Sequence, residues 1–301
     1  MSRGKGKRMQ ASQGRAAGIM VASMALIGVI DNYIAPLSAY VGLWQFHFTR
    51  ALAAVPLIAV VACVMGLHHL RMRSLLWVVL RSLALGLSML CYFGALGIMP
   101  IAEALAGQFT SPLFVLLMTM ALTGQRVGPF RIAAVLVGFA GVLLVLQPNP
   151  SDFDPWLLLP VLGGAFYAVS AMLTRYRCAE ESPLTLLLGM FVTLGTLGAV
   201  GLLFVSDPQG DFLSRGWVWP MGPALGLVVM QAVGSLIAVY GIIRAYQWGE
   251  PSRMAVFEYS VMIFGPLYGW AALGQAVGLW QVAGIALIAG AGAVIALRSG
   301  S

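Results

Sequence analysis

Charge is scarce in this chain. Only 9% of its 301 residues are Asp, Glu, Lys or Arg and 60% are hydrophobic, whereas a soluble domain carries roughly a quarter charged residues. That balance excludes an ordinary water-soluble domain and points to a chain whose solvent is lipid. Cysteine and histidine are scarce too, with three of each. Cys63, Cys91 and Cys178 are odd in number and scattered, with no CxxC or Cys/His ligand spacing, so neither a disulfide framework nor a metal site is expected. His47, His68 and His69 do not supply the His/Asp metal cluster or Ser/His nucleophile pair that an intramembrane enzyme needs, so no catalysis is expected. None of the 36 glycines sits in the strand-and-helix setting, with its Lys, of a nucleotide loop. No cofactor is implied.

The net charge of +7 does not indicate nucleic acid. Five basic residues, Arg3, Lys5, Lys7, Arg8 and Arg15, crowd into the first fifteen positions, which reads as a cytoplasmic anchor ahead of an apolar segment. That segment, about Gly18 to Ala39, is close to the roughly 20 residues of a full span and is interrupted by Asp31 and Asn32, so it reads as a span rather than a cleaved signal peptide.

Ten apolar runs of spanning length follow one another near 18–39, 47–66, 75–97, 102–122, 129–147, 155–174, 183–205, 221–244, 252–273 and 279–297. Short connections predict a compact antiparallel bundle. The longer link from Ser206 to Pro220 is expected to hold interfacial structure around Trp217 and Trp219. With the amino terminus in the cytoplasm, thirteen Lys and Arg fall inside and only Arg215 outside, while Asp152, Asp154, Asp207 and Asp211 lie outside. Both termini are then cytoplasmic.

One phrase occurs twice. Leu122-Thr123-Gly124-Gln125-Arg126-Val127-Gly128 returns 150 residues later as Ala272-Leu273-Gly274-Gln275-Ala276-Val277-Gly278, and Arg131 returns as Gln281. Five spans per half is an odd number, so the second half would be inserted upside down, which accounts for the lost arginines. The predicted fold is all-α and membrane-integral, with ten transmembrane helices as two inverted five-helix repeats: a basic tail at 1–17, repeats at 18–150 and 151–298, and a short end at 299–301. Inverted repeats recur in secondary transporters.

The ordered set Ala95-Leu96, Pro100, Ala102-Glu103-Ala104, Pro112-Leu113-Phe114, Gly124-Gln125-Arg126-Val127, Gly138, Gly141 and Pro148 resembles the first half of the EamA branch of the drug/metabolite transporter superfamily. Pro251, Glu258-Tyr259, Gly269-Trp270, Gly274-Gln275 and Gly284 resemble its second half. This chain departs from the family at Gln125 and Gln275, where glutamate is usual. The resemblance implies a ten-helix transporter that moves small metabolites by alternating access, often outward.

Ionisable groups inside spans are functional candidates by default, because hydrocarbon does not solvate them. Asp31 precedes Pro36, which frees a carbonyl; it is either a cavity carboxylate for a cation or proton, or the structural partner of Arg50. Arg50 is either an anchor for a substrate carboxylate, the neutraliser of Asp31, or a snorkelling end residue. His47 is a candidate relay or an interface residue, and Glu258, in the middle third of its span, is the charge hardest to explain as an end effect. Glu103, after Pro100, and Glu250, before Pro251, fit helix capping as well as function. Arg81 and Arg244 read as anchors or gates. Among the aromatics Trp44, Tyr92, Phe109, Tyr167, Tyr240, Tyr259 and Trp270, packing competes with pocket lining. Glycines such as Gly138 and Gly141, or Gly290 and Gly292, suit close helix contact.

The expected cavity set is Asp31, Arg50, Glu258, Tyr259, His47, Tyr92, Glu103, Tyr240 and Trp270, lined by spans 1–4 and 6–9, with spans 5 and 10 at the periphery. The expected protein is a secondary transporter in a bacterial inner membrane, exporting or exchanging a small metabolite such as an amino acid or related amine. Its partners would be that solute and the bilayer, with protons and a second copy of the chain as further candidates; a non-transporting scaffold or receptor is the alternative.

Overall fold

A computed structural model describes residues 2–95, 98, 101–124, 127–147, 156 and 158–298. Among them it has helices and turns, with one isolated bridge between Asp207 and Arg215 and no strand. Eight helical stretches are long and apolar enough to cross a membrane, one of them, Ala104–Leu122, across an interruption at 109–110; Leu279–Val294 is apolar but shorter, and the segment from 251 to 273 is likewise broken in two. The protein is an all-helical integral membrane protein.

The first span is α1 (Ser2–Asp31) followed by the short α2 (Ile34–Ser38). The basic tail therefore continues as helix into the span. The helix ends three residues after Gly28, at Asp31, because Pro36 cannot accommodate the carbonyl four residues before it, that of Asn32. Next come α3 (Leu43–Met65) and α4 (Leu75–Ala95), joined through a 3-10 turn at Leu67–Leu70. The segment expected as the fourth span is two helices, α5 (Ile101–Gln108) and α6 (Ser111–Thr123), followed by α7 (Pro129–Leu146). Then follow α8 (Leu158–Tyr176), α9 (Pro183–Leu202) and α10 (Ala224–Trp248). The ninth segment is again two helices, α11 (Pro251–Glu258) and α12 (Val261–Leu273), before α13 (Leu279–Arg298).

The sequence led us to expect continuous helices at 102–122 and 252–273, and both are interrupted. The cause is local. Thr110 Oγ1 donates to the Gly107 carbonyl at 2.6 Å and Ser260 Oγ to the Phe257 carbonyl at 2.7 Å, so each hydroxyl competes for a carbonyl that helix continuation would use. The two breaks lie 150 residues apart, as do the bounds of α5 and α11 and of α6 and α12. Gly124 and Gly274 both terminate their helices with positive φ (63° and 65°), the left-handed conformation that favours glycine.

Lateral packing relies on small residues, as expected where lipid offers no hydrophobic drive between helices. The α7 and α13 helices lie against one another at Gly141 and Gly284, whose backbones approach so closely that a Cβ on Gly141 would stand 2.8 Å from the Gly284 carbonyl. Gly138 seats the ring of Tyr259. Gly290 faces open space instead, and a Cβ on Gly292 would make only ordinary contact with Phe257.

Polar links tie the helix ends together. At one end the 206–220 link folds over the start of α3: Gln45 exchanges two hydrogen bonds with the backbone of Val218, Trp44 donates to the Leu213 carbonyl, and Arg215 donates to the Ser38 carbonyl. At the other end Glu250 pairs with Arg131 and Arg253, Arg175 donates to the Gln247 carbonyl, and Gln247 Nε2 donates to the carbonyls of Cys178 and Glu181. Cys178, just past α8, is fully buried, and burial pushes its thiol up to about 11, so it is protonated at neutral pH. In a Cys63→Ser/Cys91→Ser background a maleimide should therefore leave the folded protein unmodified and label it once unfolded. Labelling of the native protein at the rate of a free thiol would contradict this burial.

Candidate functional site

A cavity of about 160 Å³ runs through the middle of the bundle. Its walls come from α1, α3, α4, α5, α6, α8, α9, α10, α11 and α12; α7 and α13 contribute no lining residue. Most of the lining is apolar, including Met24, Leu85, Met89, Met190 and Val239. Two carboxyl and two guanidinium side chains interrupt it, Asp31, Glu258, Arg50 and Arg81.

Glu258 is the last residue of α11, at the break, and is 3% exposed. Tyr167 of α8 and Tyr246 of α10 both donate to its Oε1, at 2.7 and 2.8 Å. The convergence of two phenols on one oxygen holds the carboxyl in place and leaves Oε2 for the cavity. Among the described residues no cation lies within ion-pair distance of it. The residue at the corresponding place in the other break, Gln108, also lines the cavity; its Nε2 donates to Ser88 Oγ at 3.3 Å and its buried Oε1 has no partner.

Arg50 is 5% exposed and lies among Phe46, Phe93 and Phe191, with its guanidinium carbon 4.7, 5.9 and 5.8 Å from the ring centres. Among the described residues its one side-chain hydrogen bond is long, 3.4 Å between Nη2 and His47 Nδ1, and its buried Nε has no partner. Asp31 is its electrostatic neighbour across the cavity, yet the two form no ion pair within 4 Å. Asp31 ends α1, where the negative end of the helix dipole opposes a carboxylate, so helix capping does not explain it.

Arg81 is 3% exposed and does not snorkel as expected of an end residue. Its Nε donates to Thr174 Oγ1 at 3.2 Å and its Nη1 to the Leu186 carbonyl at 3.1 Å, so α8 and α9 hold it inward. Gln231 braces the opposite end by donating to the Ile30 carbonyl at 2.6 Å.

Of the expected set, the structure brings Asp31, Arg50, Tyr92 and Glu258 to the cavity wall. His47 is fully buried behind Arg50, with its Nε2 unpartnered, and does not reach the cavity. Tyr259 is fully buried against Gly138 on the α7 side and points away from the cavity that its neighbour lines. Tyr240 packs between Arg244 and the α9 side, with the guanidinium carbon 5.6 Å from its ring. Trp270 is 59% exposed on the outer surface, the usual place for an amphipathic indole. The side chain of Glu103 and all of Gln125, Arg126, Asp152 and Asp154 lie outside the described residues. Phe109 and Tyr167 do line the cavity, whereas Trp44 packs against Gly201. Sequence reasoning missed Tyr246, Gln108 and Gln231, and of its two readings of Arg81, anchor or gate, the inward hold disfavours the anchor.

Comparison with known proteins agrees with this architecture. A sequence model of the EamA-like transporter family matches residues 15–147 and again 154–297. The riboflavin transporter of Rhizobium johnstonii is 29% identical over 251 residues, covering 83% of this chain and 78% of that protein. The S-adenosylmethionine uptake transporter of Rickettsia felis is 26% identical, covering 63% of this chain and 60% of its own length. The pseudopaline exporter of Pseudomonas aeruginosa is also 26% identical, with coverages of 67% and 68%. A crystal structure of 21% sequence identity superposes with a TM-score of 0.79 over 96% of this chain and 98% of its own, a likeness of fold.

Proposed function

The chain belongs to the EamA-like transporter family, and from that premise we propose that it is a secondary active transporter that exports or exchanges a small organic metabolite by alternating access. The observation that carries the proposal is the central cavity: a largely apolar chamber between helices of both halves, into which two carboxyl groups and two guanidinium groups project without pairing within 4 Å. Unpaired ionisable groups are costly in a bilayer unless they face a wet path or a ligand. The relatives are named for riboflavin, S-adenosylmethionine and pseudopaline, so metabolites with polar groups on a larger body are the first solutes to examine, together with amino acids and amines.

We read the chain as ten spans in two inverted halves, with both termini in the cytoplasm of a bacterial inner membrane. Support comes from the separate family matches to 15–147 and 154–297, from the helix breaks 150 residues apart, and from the excess of Lys and Arg on one side. In this reading the two halves rock about the cavity, while α7 and α13 form a peripheral clamp. The Glu250–Arg131 pair would link the cytoplasmic ends of the halves in the state described. Asp31 and Glu258, each closing a helix that stops inside the membrane, are the positions where a proton or substrate cation would bias one state over the other.

The test is flux. Purified protein in proteoliposomes should take up or exchange at least one labelled solute from a panel of riboflavin, S-adenosylmethionine, amino acids and amines above protein-free vesicles, and Asp31→Asn should lower that flux at least about tenfold, equivalent to about 1.4 kcal/mol. Folded protein that moves none of the panel, and whose stability responds to ligand all the same, would instead support a receptor.

A further inference from the structure

We infer that the cavity is built for an elongated ligand with an ionic or strongly polar group at each end and an apolar body between, its anionic group at Arg50 and its donor group, an amine in the simplest case, at Glu258. This rests on the transport-cavity reading and adds the chemical class of solute.

Length comes first. On α4 the cavity is lined from Arg81 to Phe93, twelve residues apart, which is about 18 Å of helix. On α10 it is lined from Gln231, which braces the residue before Asp31, to Tyr246, which binds Glu258; those fifteen residues correspond to about 22 Å. Side chains reach inward from both ends, so the groups a ligand meets are closer together than these backbone spans, but two chemically distinct poles remain.

The pole at Arg50 is short of negative charge at hydrogen-bond range. A guanidinium has five N–H donors in a planar fork suited to a carboxylate or phosphate. Here the side chain is buried, Nε is unpartnered, the one side-chain hydrogen bond among the described residues is the long one to His47, and aromatic rings cover the flanks. Asp31 offsets the charge of Arg50 from a distance without occupying its donors. The pole at Glu258 has the opposite imbalance. Arg81, the nearby cation, already spends Nε and Nη1 on Thr174 and Leu186, whereas the second carboxyl oxygen of Glu258 accepts no hydrogen bond among the described residues. A carboxyl oxygen without a donor calls for one. Between the poles stand Met24, Leu85, Met89, Met190 and Val239, flexible and apolar, which accommodate a hydrocarbon or ring.

The probes are ω-amino carboxylates of four, eight and twelve carbons, with octanoate and octylamine as single-ended controls, titrated against the full-length protein in lipid nanodiscs by calorimetry and thermal shift. The eight- or twelve-carbon compound should bind at least about tenfold tighter than the four-carbon one and than either control. Arg50→Gln should reduce it to the level of octylamine, and Glu258→Gln to that of octanoate. An affinity that does not change with length in the unmodified protein overturns the inference without recourse to any variant. So does an Arg50→Gln protein that keeps the full advantage of the two-ended probe. Flux separates the two readings: solute movement with length-independent binding refutes this inference and leaves transport standing, whereas length-dependent binding with no flux of any solute supports this inference and removes transport.

Discussion

Replacing Glu258 by alanine is expected to abolish transport and to destabilise the protein, while replacing it by glutamine should abolish transport and leave the fold largely intact. The difference follows from where the phenols point. Tyr167 and Tyr246 both donate to Oε1, and a glutamine retains a carbonyl oxygen at that place, so both hydroxyls keep an acceptor. Alanine removes it and leaves the buried Tyr246 hydroxyl and the part-buried Tyr167 hydroxyl without that partner; the first costs about 1–3 kcal/mol and the second less, so a loss of about 1–4 kcal/mol is expected. Glutamine removes only the charge and the ability to take up a proton. Thermal unfolding in nanodiscs combined with flux in proteoliposomes checks both halves of the expectation, and the double variant Tyr167→Phe/Tyr246→Phe supplies a third point. With no donors on the carboxyl, that variant should remain folded and lose flux more mildly than Glu258→Gln. If Glu258→Gln were to transport like the unmodified chain, the carboxyl would be a packing residue and the candidate site would shift to Asp31 and Arg50 alone.

The contrast between Glu258 and Arg81 shows what was legible in the sequence. Glu258 stands far from either end of an apolar run, and a carboxyl there has few explanations, so its burial was readable. Arg81 lies six residues into α4, a position from which an arginine can reach the headgroups, and only the packing of α8 and α9 over it, through Thr174 and Leu186, determines that it turns inward. Tyr246 is a similar case, since nothing in its own helix distinguishes it from the other aromatic residues until α11 brings Glu258 beside it. The breaks in the fourth and ninth segments were not read, although their signal was present: an aromatic residue followed by a hydroxyl residue, Phe109-Thr110 and Tyr259-Ser260, recurs at the same offset of 150 as the repeated phrase. Extending that offset to single residues also places Gln108 opposite Glu258. The rest of the helix plan was legible because the length of an apolar run in a bilayer is fixed by bilayer thickness. Which face of each run meets the cavity is fixed by neighbours distant in sequence.

Two glycines on α13 should respond in opposite senses. Gly284→Leu is expected to destabilise the protein by about 3 kcal/mol or more, because its Cβ would fall 2.5 Å from the Gly141 carbonyl oxygen and 2.9 Å from the Val145 amide nitrogen. Those are backbone atoms, which cannot rotate aside as a side-chain end can, so relief requires α7 and α13 to separate and to give up the dispersion contacts that hold membrane helices together. Gly290, six residues further on, has nothing within 4 Å of a built Cβ. Gly290→Ala thus adds no clash, removes backbone freedom from the unfolded chain, and should stabilise the helix by about 0.5–1 kcal/mol. Thermal unfolding of the two variants side by side measures the difference. Neither helix lines the cavity, so Gly290→Ala should retain full flux, and Gly284→Leu should lose flux only in proportion to the protein that unfolds or misassembles. A Gly284→Leu protein as stable as the parent but unable to transport would have a different meaning. The contact between α7 and α13 would then be a moving part of the cycle rather than a static clamp, and the rocking halves would pivot there.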